Sequence, residues 1–188
     1  MMIKAILFDI SGVLHVDNEP VNGAIEAIQL ARNEQIVVRF VTNTSRKTST
    51  DMLQSLLQMG FDLSVEEVLT APGAVKLALQ QRKLRPYCLV HEKLRPEFAD
   101  LDQSSPNAVV IADAGDGFNY ANMNRAFQLV MDGAPLLGIG LNRYFRQNEE
   151  LQLDAGPFIA ALEFACDVEA EILGKPAKAF FQTAVEST

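Results

Sequence analysis

Three apolar runs in this chain each stop on residues able to handle a phosphoryl group. Ile6-Leu7-Phe8 ends on Asp9, followed by Ile10-Ser11-Gly12. Phe40-Val41 ends on Thr42-Asn43-Thr44-Ser45, and Ile172-Leu173 ends on Gly174-Lys175-Pro176. A carboxylate at the carboxyl end of a buried parallel strand lies where open α/β sheets place their ligands. It can attack phosphorus to form an aspartyl-phosphate, or ligate Mg²⁺, an oxygen-seeking cation that keeps several waters. Gly12 lets the backbone turn sharply beside it. An aspartate at such a place as often merely turns the chain. Thr42 holds the equivalent position after the next run. Its hydroxyl, with the free N–H groups of a following helix, would make a phosphate cradle, although Ser and Thr clusters also cap helices. Lys175 at a strand-to-helix turn can neutralise a phosphoryl group and its attacking carboxylate, whereas a lysine taken alone is a solvated surface residue. The specific observation is the combination, with each member at a strand end.

The elements that must position these residues alternate along the chain. Short apolar runs at 4–8, 36–41, 68–70, 87–90, 108–112, 136–141 and 170–173 read as strands. Helical spacing of apolar residues covers 23–32, 50–59, 74–81, 119–131, 158–165 and 177–185. Leu53, Leu56 and Leu57 mark one face of the second helix, with Gly60 placed to stop it. Pro72-Gly73 is a punctuation point, and 143–155 reads as polar and loop-like. Strand–helix–strand alternation implies parallel pairing through right-handed crossovers, hence an α/β doubly wound sheet.

Composition narrows the function. The 188 residues are 48% hydrophobic and 21% charged, enough for a sizeable core, and the formal net charge is −8. An acidic surface disfavours nucleic acid and anionic membranes as partners but allows a small anion held by local cations. Cys88 and Cys166 stand far apart, as do His15 and His91, so no zinc motif is present and free thiols are expected. The first apolar run is too short for a signal segment, and no stretch approaches the ~20 residues of a membrane helix. A cytoplasmic protein is expected.

Asp9-Ile10-Ser11-Gly12-Val13-Leu14, Val41-Thr42-Asn43-Thr44 and Leu173-Gly174-Lys175-Pro176 resemble the first three motifs of the haloacid dehalogenase superfamily. Asp132-Gly133-Ala134-Pro135-Leu136, Arg143-Tyr144-Phe145 and Gly156-Pro157-Phe158 extend the resemblance, to the class II phosphatases with an α/β cap, over essentially the whole chain. The resemblance implies a Rossmann-like core at 1–71 plus 170–188 and a cap at 72–169 that closes over the site and selects a small phosphorylated substrate. It implies Asp9 as nucleophile and Mg²⁺ ligand, and the backbone carbonyl of Ser11 as a second ligand. Ser11, Thr42 and Asn43 would surround the transferring phosphoryl group, and Lys175 would stabilise its charge. Asn142 and Arg143, at the end of a cap strand, are candidate substrate contacts, and the resemblance allows a homodimer.

Two features depart from the superfamily pattern. A second aspartate, which protonates the leaving group and later activates water, usually stands two residues after the nucleophile; here that residue is Ser11, as in the subgroup the chain resembles. General acid–base help is worth roughly 10²- to 10⁴-fold, so leaving groups needing little proton assistance, such as pyrophosphate or a protonated amine, are expected. The fourth motif, an acidic run supplying further Mg²⁺ ligands, does not occur before Thr188. A C-terminally shortened core is therefore expected, with the Asp9 strand at an open sheet edge. Two alternatives to an enzyme remain: a phosphate-binding or regulatory module without turnover, and a nucleotide-binding domain. The second lacks both G-x-x-x-x-G-K-[ST] and G-x-G-x-x-G after the first strand.

Overall fold

A computed structural model describes residues 3–186. In chain order it contains β1 (Ala5–Asp9), β2 (His15–Val16), β3 (Glu19–Pro20), α1 (Ala24–Asn33), β4 (Val37–Thr42), α2 (Ser49–Gln58), β5 (Val68–Thr70) and α3 (Ala71–Gln81). There follow β6 (Pro86–Leu89), β7 (Ala108–Ile111), α4 (Tyr120–Met131), β8 (Leu136–Gly138), β9 (Tyr144–Gln147), β10 (Glu150–Leu153), α5 (Ala155–Cys166), β11 (Glu171–Ile172) and α6 (Lys178–Glu186).

The fold is mixed α/β and rests on two parallel sheets. The first runs β1-β4-β5 and the second β11-β8-β7-β6, with every pairing in both sheets parallel. Parallel sheets persist where both faces are covered, and the side chains divide accordingly. Val38 and Phe40 of β4 pack with Ala24, Ile28, Met52 and Leu56 from α1 and α2. Val41 points the other way, into a cluster with Val75 and Leu79 of α3 and Phe180 of α6. From β7, Val110 joins that same cluster, whereas Val109 and Ile111 pack against Ala126, Val130 and Ile159 of α4 and α5. The layers are therefore α1/α2, first sheet, α3/α6, second sheet, α4/α5. All four residues of β7 are fully buried, as expected of a strand covered on both faces.

Several details differ from the sequence expectation. Of the expected face of α2, Leu56 is buried and Leu53 half-buried, but Leu57 is exposed and Met52 is buried in its place. Pro72 and Gly73 do not interrupt the chain. They form the first turn of α3, where a proline lacks only an N–H that would be unbonded anyway, and Thr70 caps the helix by accepting the Gly73 N–H at 3.0 Å. The segment expected to be a loop contains the β9–β10 hairpin, turned by Asn148 and Glu149, both at positive φ. That conformation suits a two-residue hairpin turn, and asparagine tolerates it. β11 hydrogen-bonds to β8 of the second sheet, with the Leu173 N–H continuing the ladder to Gly138 O at 2.9 Å. Among the described residues β1 has β4 on one side and no strand on the other, and its five residues are all half-buried.

Leu137 is fully buried where β8 faces α3 and α6. Leu137→Ala is expected to destabilise the fold by about 2–5 kcal/mol, through lost burial and a residual cavity. Urea unfolding followed by circular dichroism checks it.

Candidate active site

The first sheet delivers its two motif residues in register. Asp9 pairs with Val41 across β1 and β4, and Thr42 follows directly. After Asp9 the chain turns at Gly12, whose φ of 79° is readily adopted only without a side chain. Lys175 arrives from the opposite direction, after β11 of the second sheet. Its approach requires Gly174: a Cβ there would lie 2.0 Å from Ile139 O and 2.9 Å from both Ala71 Cβ and Asn43 Oδ1.

Asn43 fixes the arrival. Its Oδ1 accepts the Lys175 N–H at 2.7 Å, and its Nδ2 donates to the Lys175 carbonyl at 2.7 Å. The Lys175 side chain then donates to Asp9 Oδ1 at 2.5 Å, the same oxygen that accepts the Ile10 N–H at 2.8 Å. Lys175 is largely covered, with a side-chain exposure of 18%, while Asp9 at 46% remains reachable from solvent.

Thr42 is buried, and its hydroxyl accepts the Thr44 N–H at 3.3 Å. The expected cradle at the following helix takes another form. α2 starts only at Ser49, with Thr48 as its cap, and the Ser49 N–H is already bonded to Glu97 at 2.7 Å. The first amide of α2 is thus engaged, and the residues of this segment that line the cavity beside Asp9 are Asn43, Thr44, Ser45 and Arg46 of the loop.

One cavity of about 600 Å³ is lined by Asp9, Ser11, Thr42, Asn43, Asn142 and Lys175 together. Arg143 is exposed and not part of the lining; the arginine of that segment that reaches the cavity is Arg146, one residue beyond Phe145 on β9. Arg46, Asp113, Phe145 and Gln147 also line it. Asp113 lies two residues past the end of β7, at the same end of a parallel strand as Asp9 in β1, so a search of strand ends could have found it. Nothing local marks Arg46.

Among the described residues no group of three or more His, Cys, Asp or Glu side chains could hold a metal ion. Asp9 and Ser11, which both line the cavity, offer a carboxylate and a backbone carbonyl, oxygen-only donors. They suit a hard cation that takes its remaining ligands from water and phosphate. Neither cysteine belongs to the site. Burial pushes the Cys88 thiol up to about 12, which makes it inert rather than nucleophilic.

A strand-end carboxylate, a hydroxyl-rich loop and a clamped lysine around one cavity define the phosphoryl-transfer class of α/β hydrolases. The family described as haloacid dehalogenase-like hydrolase matches residues 6–104. The bovine phospholysine phosphohistidine inorganic pyrophosphate phosphatase is 44% identical over 190 residues, covering 98% of this chain and 70% of that protein. The rat haloacid dehalogenase-like hydrolase domain-containing protein 2 is 42% identical over 187 residues, covering 100% and 72% respectively. Among solved structures, a hypothetical protein from Pyrococcus horikoshii superposes with a TM-score of 0.86 at 28% identity, covering 98% of this chain and 76% of that one. The chain belongs to the haloacid dehalogenase-like hydrolase family and is a hydrolase of its phosphatase type.

The two-way bond of Asn43 to the Lys175 main chain gives a direct test. Asn43→Ala strands a part-buried N–H and C=O and is expected to cost about 1–3 kcal/mol. Asn43→Asp, which keeps the acceptor for the Lys175 N–H, is expected to lie between wild type and Asn43→Ala in denaturant unfolding.

Proposed function

We propose that this chain carries the catalytic site of a Mg²⁺-dependent phosphatase that acts on small phosphorylated substrates through an aspartyl-phosphate on Asp9. The observation that carries the reading is the Asp9–Lys175 contact, made beside Thr42 and Asn43 in a single cavity. Asp9 attacks phosphorus, the bond from phosphorus to the leaving group breaks, and an acyl phosphate remains on Asp9. Water then cleaves that intermediate and frees phosphate. Two contacts on Asp9 Oδ1 orient the carboxylate for attack. Lys175 offsets charge on the carboxylate and on the incoming phosphoryl oxygens, and the Thr42 hydroxyl with the amides of the 43–45 loop holds those oxygens. Asn43 would bind through its backbone, because its side chain is already engaged with Lys175. Asp9 and the Ser11 carbonyl would hold the Mg²⁺, which supplies Lewis-acid polarisation of the phosphoryl group.

The segment 72–169 acts in this reading as a cap over a core formed by 1–71 and 170–188. Support comes from the cavity wall, to which that segment contributes Asp113, Asn142, Phe145, Arg146 and Gln147. Arg146 adds positive charge beyond Lys175, the charge of Arg46 being offset by Asp113, and this favours a leaving group that is itself anionic, with pyrophosphate as the simplest case. Ser11 favours the same choice, since a hydroxyl gives little proton assistance. The setting is taken to be the cytoplasm; no helix among the described residues is long and apolar enough to cross a membrane. Ser11 is also the observation that favours the second reading, a phosphate-binding module without turnover.

Steady-state hydrolysis in the presence of Mg²⁺ separates the two. Pyrophosphate is expected to turn over faster than a simple alkyl phosphate by roughly the 10²- to 10⁴-fold that acid–base assistance is worth. Asp9→Asn is expected to abolish turnover of both. Activity surviving in Asp9→Asn would rule out the covalent route, and phosphate binding without hydrolysis by wild type would establish the module.

A further inference from the structure

We propose that Arg46 is a positioning residue that latches the β9–β10 hairpin over the phosphoryl site and thereby restricts the leaving group. The specificity half of this proposal rests on the phosphatase reading; the latch itself does not.

Arg46 sits in the loop between β4 and α2, four residues after Thr42, yet each of its contacts given by the structure is with the segment 72–169. Its Nε donates to Asp113 Oδ2, its Nη1 donates to Gln147 Oε1 at 2.9 Å, and its guanidinium carbon lies 4.6 Å from the centre of the Phe145 ring. Asp113 is fixed before Arg46 arrives. Its side chain is only 3% exposed, and its other oxygen accepts the Gly115 N–H at 3.0 Å. Phe145 and Gln147 are two apart on β9 and so project from the same face. One planar cation thus bridges a buried carboxylate, an amide and an aromatic ring, a geometry a lysine cannot reproduce.

The hairpin has little else to hold it. Of residues 144–153 every one except Phe145 is exposed. Its base is tied by the Asp154 N–H to Arg143 O at 3.2 Å and the Gly156 N–H to Asn142 O at 3.0 Å, both at the helix end of the hairpin. An element with so little apolar burial keeps its position only through specific contacts. The ones Arg46 makes draw Phe145, Arg146 and Gln147 onto the cavity that also contains Asp9, Thr42 and Lys175. A phosphoryl group seated on Asp9 would leave its departing group facing that wall. Arg46 therefore links the phosphate-binding loop to the surface that meets the leaving group, without touching the reacting atoms.

The test uses the full chain and the double variant Arg46→Met/Asp113→Asn, which removes both charges so that no carboxylate is left buried and unpaired. Gln147→Ala serves as a milder second variant. Limited trypsin digestion at Arg143 and Arg146, read by mass spectrometry, reports hairpin release and needs no turnover. Cleavage is expected to quicken ~10-fold in the double variant, with the thermal midpoint nearly unchanged, and by less in Gln147→Ala. With pyrophosphate, KM is expected to rise ~10-fold while kcat holds; with the bulky 4-nitrophenyl phosphate, kcat/KM is expected to hold or rise. Cleavage at the wild-type rate in both variants would overturn the latch. Faster cleavage with equal losses on both substrates would overturn the specificity role. Wild-type inactivity on both substrates would refute the phosphatase reading and with it the specificity role, while faster cleavage would still support the latch.

Discussion

The paired hydrogen bonds between the Asn43 side chain and the Lys175 main chain are the constraint on which the rest of the site depends. They join residues separated by 132 positions and close the gap between two sheets that share no strand. An amide side chain satisfies a backbone donor and a backbone acceptor at once, so the lysine is placed by its main chain rather than by the many rotamers of its side chain. Only then can its ammonium group meet Asp9 at hydrogen-bonding distance. Ordering a lysine otherwise costs rotamer freedom of up to about 2 kcal/mol. Gly174 belongs to the same device, since any Cβ would collide with Ile139 O and push the strap apart.

The packing around that strap explains why it is stable. Val41, one residue before Thr42, and Leu173, one residue before Gly174, lie in the same buried cluster, which α3 and α6 fill between the sheets. The chain therefore enters the site from both sides out of close-packed apolar surroundings. Close packing transmits position, because neighbours cannot relax without opening voids. The polar residues that do the chemistry occupy the first positions after the apolar runs stop, where backbone amides and solvent become available.

The segment that faces the site is built differently. β7 and β8 are buried, but the β9–β10 hairpin has almost no apolar burial. A buried floor with a lightly held wall suits a site that must grip a constant phosphoryl group and admit a variable remainder.

The strands and helices that carry the site were legible in the sequence because their apolar periodicity is local, and the resemblance of three short motifs identified the family that comparison with known proteins bears out. Asp9, Thr42, Asn43 and Lys175 could be singled out because each stands at or just past the end of an apolar run, and the three positions agree in type. Three things needed the tertiary structure. The pairing of β11 with β8 is a choice among sheet edges that a two-residue strand does not encode in its own composition. The exposed β9–β10 hairpin alternates only at Leu151 and Leu153 of β10, both solvent-exposed, and its polar surroundings make it read as a loop. Arg46 joins Asp113, Phe145 and Gln147 only because two sheets bring a loop and a hairpin to one cavity; no spacing along the chain records that meeting. Periodicity and strand ends thus determined which residues could do chemistry, and long-range packing decided which of them meet.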